Sequence, residues 1–269
     1  MARTGAECVR PDGDDKLIVC SVQVCRIWSK LRIPAAIFHN NLTDRPAEQH
    51  RMGHILDTLP VLHRLALAYA PKRSRAAFLA LLALDARLAE VVRSASEPML
   101  AQIRLAWWRD ILAREGEDRP QGEPLVAALG DWAHGATDLV ALVDGWECLV
   151  DEGPLTTDGI RAFCEGRGAA FAALANVVEC PEASEAARSA GQAWALADLA
   201  SRLDNPHERE AAMAIVREGE WRRIALPRAL RPLAVLHGLA ASDGRAGRGL
   251  SQPRASMLFF AMRIGLFGR

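Results

Sequence analysis

The sequence predicts an all-α protein, and three observations carry that prediction. From Leu59 onward, apolar residues recur at three- and four-residue steps almost throughout, which is the period of an amphipathic helix. No stretch alternates β-branched and polar residues between hairpin turns, as strands do. The breaks between periodic runs carry helix punctuation, at Pro71, Pro98, Gly153-Pro154, Cys180-Pro181 and Pro206.

Residues 1–51 stand apart. They hold three of the six cysteines and turn-type clusters such as Pro11-Asp12-Gly13-Asp14-Asp15 and Asn40-Asn41, with little helical period. One expectation is a native start at Met52, behind an over-extended reading frame; the other is a genuine extension that is partly disordered. Residues 52–269 form the predicted domain. Leu59, Leu62, Ala66 and Tyr69 mark its first helix, which Pro71 ends. The next starts near Ser74, buries Phe78, Leu81, Leu82, Leu88, Ala89 and Val92, and stops around Ser94. Ser94-Ala95-Ser96-Glu97 has capping-box spacing ahead of Pro98. The helix that follows takes Leu100, Ile103, Trp107 and Ile111 as its apolar stripe. After a Gly/Pro-rich loop over 116–124, one long helix is predicted from Leu125 to Val150, carrying Leu129, Trp132, Leu139, Val143 and Trp146. Thr157 or Asp158 caps the next, which runs toward Val178. Further helices span Ser184 to about Leu203, Pro206 to Gly219 and Pro227 to Ala241, with Asp204-Asn205-Pro206 as a helix stop. Ser242 to Gly249 is a flexible loop, and Ser256 to Phe267 closes the chain. Helices this many and this apolar suit a single compact multi-helix domain around a central cavity, rather than a four-helix bundle with a wet exterior.

Charge and composition exclude some functions. Lys+Arg and Asp+Glu both number 33, so the formal net charge is zero. No nucleic-acid partner is expected, since that needs a basic patch. The basic residues are nearly all arginine, with lysine only at Lys16, Lys30 and Lys72; coding bias accounts for this more simply than phosphate recognition does. Cys8, Cys20, Cys25, Cys148, Cys164 and Cys180 form no C-x-x-C pair and have no histidine at zinc-ligand spacing. They are expected as buried small hydrophobes in a reducing compartment. No segment reaches the ~18 consecutive apolar residues that span a bilayer. Asp12, Asp14 and Asp15 ahead of Leu17-Ile18-Val19 make a poor secretory signal. The expected location is cytoplasmic, with a peripheral membrane association left open by the apolar tail Met257 to Phe267, which either docks on the bundle or lies on a membrane surface or partner protein.

The most informative segment is Glu97-Pro98-Met99-Leu100-Ala101-Gln102-Ile103-Arg104-Leu105-Ala106-Trp107-Trp108-Arg109-Asp110. Adjacent tryptophans flanked by arginines on a helix are rare. Around it, in order, stand Ala80 to Leu88, Val143-Asp144-Gly145-Trp146-Glu147, Thr157 to Gly168, Gly191 to Leu199, Arg223-Ile224-Ala225-Leu226-Pro227 and Arg231 to Ala240. By their order and spacing, from about Leu59 to Arg269, these segments resemble the squalene/phytoene synthase family. They are especially similar to its short bacterial members and the related mitochondrial complex I assembly factor. The resemblance implies the isoprenoid-synthase type of helical fold. It also implies Arg104, Trp107, Trp108, Arg109, Asp110, Trp194 and Pro227 as signature residues with structural roles.

The resemblance implies a chemistry as well, and there the sequence departs from it. A head-to-head prenyl synthase ionises an allylic diphosphate, and Mg²⁺ holds the departing anion. Mg²⁺ takes hard oxygen ligands, commonly one or two carboxylates plus phosphate. A D-x-x-x-D spacing puts two carboxylates one turn apart on one helix face, and two such helices make a clamp. Aligned on Leu81 to Leu88, the first pair falls on Ala89 and Arg93; aligned on Gly191 and Trp194, the second falls on Arg202 and Pro206. None of the four is a carboxylate. No metal site and no cofactor are therefore expected at that place.

Asp85, Glu90 and Asp198 remain as candidate catalytic carboxylates, with Asp144 a further displaced acid. Asp85 lies on an apolar stripe and is either paired with an arginine or faces the cavity, because an unpaired buried charge is too costly. Glu90 is solvated or paired. Asp198 stands where the resemblance implies a polar amide and can face the cavity. Arg93, Arg202, Arg222 and Arg223 are candidate ligand- or phosphate-binding residues, with a plain surface role the alternative for Arg222-Arg223. Arg104 is expected to pair with Asp85 or Asp110. Trp107 and Trp108 are expected in core and inter-helix packing, or else lining a prenyl pocket. The expected function is that of a non-catalytic or altered family member, which binds a prenyl diphosphate or other apolar ligand or assists assembly beside a membrane or protein partner. The alternatives are an active head-to-head prenyltransferase using displaced carboxylates and Mg²⁺, and a purely structural adaptor.

Overall fold

Prolines and small residues decide where these helices begin and how closely they approach. The computed structural model describes residues 55–95, 97–114, 118–120, 123–132, 136–150, 153–248, 250 and 255–267; the expectations for residues 1–51 lie outside them. All of these residues belong to one unit, Asp44–Arg269, and none of them is in a strand. The helices are α1 (Val61–Leu67), α2 (Lys72–Ser94), α3 (Pro98–Ala113), α4 (Pro124–Ala128), α5 (Val140–Glu147), α6 (Thr157–Val177), α7 (Ser184–Arg202), α8 (Pro206–Glu218), α9 (Arg231–Gly244) and α10 (Ala255–Phe267). Prolines precede or open α1, α2, α3, α4 and α8, where the missing N–H costs nothing.

The centre is the pair α6 and α7, the most extensive helix contact of the fold; α5 packs on α6, while α8 and α9 pack on α7. Small residues make this possible. A Cβ on Gly166 of α6 would run into the Ala141 carbonyl oxygen and fall 3.0 Å from the Gly145 Cα of α5. A Cβ on Gly191 of α7 would fall 3.2 Å from the Gly168 Cα. Ala187, Ala190, Ala195 and Ala197 line the buried face of α7. Into the space between helices go Phe78, Trp132, Phe163, Phe171 and Trp194, each under 2% exposed.

Caps fix the helix starts. The Thr156 side chain, not Thr157 or Asp158, accepts from the Gly159 N–H at 3.1 Å and opens α6. Asn205 accepts from the His207 N–H at 3.0 Å, so Asp204-Asn205-Pro206 both ends α7 and starts α8. Glu97 is the N-cap of α3 without a side-chain bond; Ser96 of the expected capping box lies outside the described residues.

The long helix and the stripe of α3 also need correction. The long helix from Leu125 to Val150 is broken into α4, the 3₁₀ turns Leu129–Trp132 and Ala136–Leu139, and α5. Gly130 weakens a helix there, and the tighter turn delivers Trp132 fully into the core, where its Nε1 donates to the Ala77 carbonyl at 3.2 Å. On α3 the buried stripe is Ala101, Leu105, Trp108, Ile111 and Leu112. Met99, Leu100, Ile103 and Trp107 face outward, Trp107 at 44% exposure. Both stripes obey the helical period, so period alone does not choose between them. Arg109 fixes the rotation by reaching Asp144 and Glu147 of α5, with Nε to Asp144 Oδ1 at 2.9 Å.

The cysteines behave unequally: Cys180 is buried, Cys164 half-buried and Cys148 exposed, so the last is not the buried hydrophobe expected. The apolar tail, α10, packs against α9 and α1. It buries Ala261 and Ile264 and leaves Phe259 and Leu266 exposed. Among the described residues no helix is long and apolar enough to cross a membrane.

The α5–α6 crossing yields a prediction. Gly166→Ala forces a methyl against backbone rather than against a movable side chain, so it costs about 1–3 kcal/mol. Urea unfolding reads this as a lower midpoint, while Gly153→Ala, with open space around it, leaves the midpoint in place.

Candidate functional site

At the middle of α6 the sequence places an arginine on a buried stripe of Ile160, Phe163, Arg167, Phe171 and Leu174. A guanidinium there has to find acids, because an isolated buried charge is prohibitively costly. It finds two. Arg167 Nε and Nη2 donate to Asp85 Oδ1 at 2.8 Å and Oδ2 at 2.6 Å, a bidentate fork. Its Nη1 donates to Asp198 Oδ2 at 2.9 Å. Asp85 comes from α2 and Asp198 from α7, so one side chain ties three helices. Trp146 Nε1 of α5 adds a fourth by donating to Asp85 Oδ1 at 2.9 Å. All three charged side chains are at most 4% exposed. The guanidinium also lies over the rings of Trp194, Phe163 and Trp146, at 4.3, 4.8 and 5.2 Å from their centres, where the π-faces favour a cation.

The charges set one another's ionisation. Burial alone would lower the Arg167 pKa, but Asp85 and Asp198 outweigh it and hold the group above its ordinary value. Burial alone would raise Asp198; Arg167, and then Arg202, hold it below the usual carboxylate range. Arg202, half-exposed, pairs with the remaining oxygen of Asp198 through Nε at 2.8 Å. Arg167, Arg202, Asp85 and Asp198 thus form a network of no net charge. His63 of α1 stacks edge-on against Trp194 with ring centres 5.3 Å apart. Burial pushes it down to about 4, against the raising effect of Asp85 and Asp198 and together with the lowering effect of Arg167 and Arg202. Its Nδ1 and the Trp194 Nε1 are buried and have no hydrogen-bond partner among the described residues.

Two pockets open over this network. The first, of about 470 Å³, is lined by His63, Asp85, Glu90, Arg93, Arg167 and Arg202 among others. The second, of about 540 Å³, has Val92, Leu149, Leu155, Phe163 and Leu199 as apolar wall. Ala89, Arg93, Trp146 and Arg202 belong to both. Three of the four positions where the family pattern would put aspartates, namely Ala89, Arg93 and Arg202, therefore meet at one place. A third pocket, of about 330 Å³, lined by Cys164, Gln192, Leu196, Ile215 and Trp221, shares no residue with them.

The remaining candidates scatter. Glu90 pairs with Arg87 at 3.4 Å in an exposed position on the rim of the first pocket. Asp144 is taken by Arg109. Arg222 is exposed and pairs with Glu220 at 2.7 Å, and neither it nor Arg223 lines either pocket. Arg104 is exposed and is not the partner of Asp85; Arg167 is. Asp110 is exposed on α3. Trp194 is in the core, Pro227 is half-buried ahead of α9, and Trp107, unlike Trp108, is outside the core. Sequence reasoning missed Arg167 and His63. Both carried a signal, since each is a titratable side chain on an otherwise apolar helix face.

Mg²⁺ does not fit this donor set. Asp85 and Asp198 are already bonded to guanidinium groups, and the outward positions are an alanine and two arginines; of the other lining acids, Glu90 and Glu123 lie beside Arg87 on the first pocket, and Asp204 and Glu208 line the second. Among the described residues, no three His, Cys, Asp or Glu side chains gather as a metal site.

The buried network sets two expectations. Arg167→Met leaves two acids in the core without their cation and costs about 3–5 kcal/mol in urea unfolding, whereas the combined variant D85N/R167M regains part of that loss. Acid acts on His63, beside the network, and on His237, buried on α9. His63 and His237 are held at about 4, below their ordinary value of 6.5. Between pH 6.5 and 4 the unfolded chain binds protons that the native state refuses, so stability falls as pH drops, by about 3 kcal/mol per histidine at the end of that window. Above pH 6.5 neither histidine contributes. Asp198, with its depressed pKa, likewise contributes stability that is present at neutral pH and lost on acidification. Unfolding free energies measured from pH 7 to 4.5 check this, and a flat profile contradicts it.

Comparison with known proteins agrees with the geometry. The family model described as squalene/phytoene synthase matches residues 63–217, more than half of the chain and every member of the charged network. No curated protein and no solved structure matches. The chain belongs to the squalene/phytoene synthase family.

Proposed function

We propose that this chain is a non-catalytic member of its family, one that binds a prenyl or other apolar ligand instead of condensing two of them. The observation that supports this is the Arg167 fork between Asp85 and Asp198. Metal-assisted loss of diphosphate needs carboxylates free to take Mg²⁺, and the two acids that face each other across the site are already committed to a guanidinium. Releasing them would leave a cation buried without partners, which costs several kcal/mol. The alternative of displaced catalytic carboxylates gains little, because Glu90 pairs with Arg87 and Asp144 with Arg109 at exposed positions.

Ligand binding keeps a physical basis without the metal. Each of the two pockets falls in the size range of small-molecule sites, roughly 300–1,000 Å³. An assembly role beside a membrane or protein partner belongs to the same proposal. The exposed apolar groups Met99, Ile103 and Trp107 on α3 and Phe259 and Leu266 on α10 are the surfaces it would use.

The test is incubation of the full chain with farnesyl and geranylgeranyl diphosphates and Mg²⁺, followed by measurement of pyrophosphate. Release at the level of a protein-free blank is the expected outcome. Release above it, abolished by Asp85→Asn, returns the protein to the active synthases.

A further inference from the structure

Four of the seven large apolar side chains left exposed among the described residues, Met99, Leu100, Ile103 and Trp107, stand on α3. Apolar groups gathered on one helix in this way mark a contact surface. We infer that this face pairs with the same face of a second copy of the chain, the two helices running antiparallel with Trp107 at the two-fold axis. The inference does not depend on what the pockets hold; it gives one of the two apolar surfaces named above a definite partner.

The charges on the face say what covers it. Arg104 and Asp110 are exposed, and neither side chain has an ion-pair or hydrogen-bond partner among the described residues. They stand three residues before and three residues after Trp107. Helical geometry puts each about 4.5 Å along the axis from the indole position, and about 60° to opposite sides of it. A two-fold axis through Trp107 sets positions equally far before and after it opposite each other, with left and right exchanged. Arg104 of each copy then meets Asp110 of the other, twice over. Leu100 and Arg114, seven residues to either side, meet in the same way, and the arginine stem covers the leucine. The exposed charges of the face are Glu97 and Asp110 against Arg104 and Arg114. They sum to zero, so an anionic lipid surface finds no excess of positive charge there. A partner of unrelated sequence would not need the symmetry about Trp107; a second copy does.

Trp107 suits the centre of such a contact. Its indole stands edge-on to the buried Trp108 with ring centres 5.0 Å apart, so it is already oriented and loses little freedom on association. Tryptophans near the middle of an interface carry a large share of its binding energy. The inner side of α3 holds the face in place, through Leu105, Trp108 and Ile111 in the core and Arg109 on Asp144 and Glu147. A single helix of 16 residues makes a contact at the small, transient end of the range, so a reversible dimer is expected rather than an obligate one.

The experiment is sedimentation velocity of the full chain over about 2 to 200 µM, where a dimer with a dissociation constant on the order of 10 µM is expected. R104D and D110R each set like charges opposite one another and are expected to weaken the dimer by about tenfold or more. The double variant R104D/D110R exchanges the signs and restores the pairing, to within about threefold of the unaltered chain. R104D and D110R, each weak alone, are expected to associate with each other when mixed. Trp107→Ala is expected to weaken the dimer as much as either charge reversal. All three side chains are exposed, so thermal midpoints that stay in place separate lost association from lost folding. Chains that remain monomeric over the whole range overturn the inference. If those monomers bind vesicles of phosphatidylcholine and phosphatidylglycerol, and Trp107→Ala does not, the face belongs to a lipid surface instead. A dimer indifferent to these variants forms through another face and overturns the inference too. Loss in the single variants with no rescue in the double variant or the mixture overturns the antiparallel pairing. None of these outcomes bears on the ligand proposal, which pyrophosphate release tests separately.

Discussion

Everything at the centre of this molecule answers to one buried cation. Arg167 stands on the inner face of α6, and its neighbours have to neutralise it from other helices. Asp85 and Asp198 do so from α2 and α7, 82 residues before and 31 residues after it in the chain. Because the pairing is bidentate on one side and single on the other, it fixes both the spacing and the rotation of the three helices. A hydrophobic trio of equal volume would serve stability as well or better, since desolvation consumes most of the Coulombic gain. What the ion network adds is register. A one-turn slide of α2 or α7 would take one acid away from Arg167, whereas an apolar contact would merely repack.

The surroundings are built to tolerate that cation. Trp146, Phe163 and Trp194 close around the guanidinium with their π-faces, and the Trp146 N–H shares the load on Asp85. The glycines at 145, 166, 168 and 191 let the backbones come near enough for side chains as short as aspartate to reach across. Close packing and charge pairing are thus one constraint. A Cβ at Gly166 pushes α5 away from α6, and with it the tryptophan that completes Asp85.

Much of this was legible in the sequence. The helical period placed α2, α7 and α8 within a few residues, and Asp85 was readable as a buried acid needing an arginine because it interrupted an apolar stripe. Which arginine was not readable. The chain is rich in arginine, the partner lies 82 residues away, and the nearer Arg104 had equal formal claim. The same stripe test applied to Thr157–Val177 would have flagged Arg167, since it alone carries charge on the face of Ile160, Phe163 and Phe171. The rotation of α3 was illegible for a different reason. That helix has two apolar stripes of helical period, and only the long-range pair from Arg109 to α5 selects the one that includes Trp108. The break after α4 depended on Trp132 finding the Ala77 carbonyl, another contact that no local pattern announces.

The two arginines at the pocket mouth follow from helix geometry as well as from composition. Arg93 and Arg202 both sit in the last turns of their helices, α2 and α7, where unpaired carbonyls carry the negative end of the helix dipole. Two such ends lining one junction attract positive charge, whatever its source. Residues 85, 89 and 93 on α2, and 198 and 202 on α7, follow the one-turn spacing that keeps side chains on one face; Pro206 already belongs to α8. Both helices therefore run from an inner acid, bound to Arg167, toward an outer arginine. A metal ion would satisfy the same dipole ends only if the outer positions were acids. Here the cation is covalently part of the chain, so the field at the mouth is set by folding and does not vary with the supply of divalent ions.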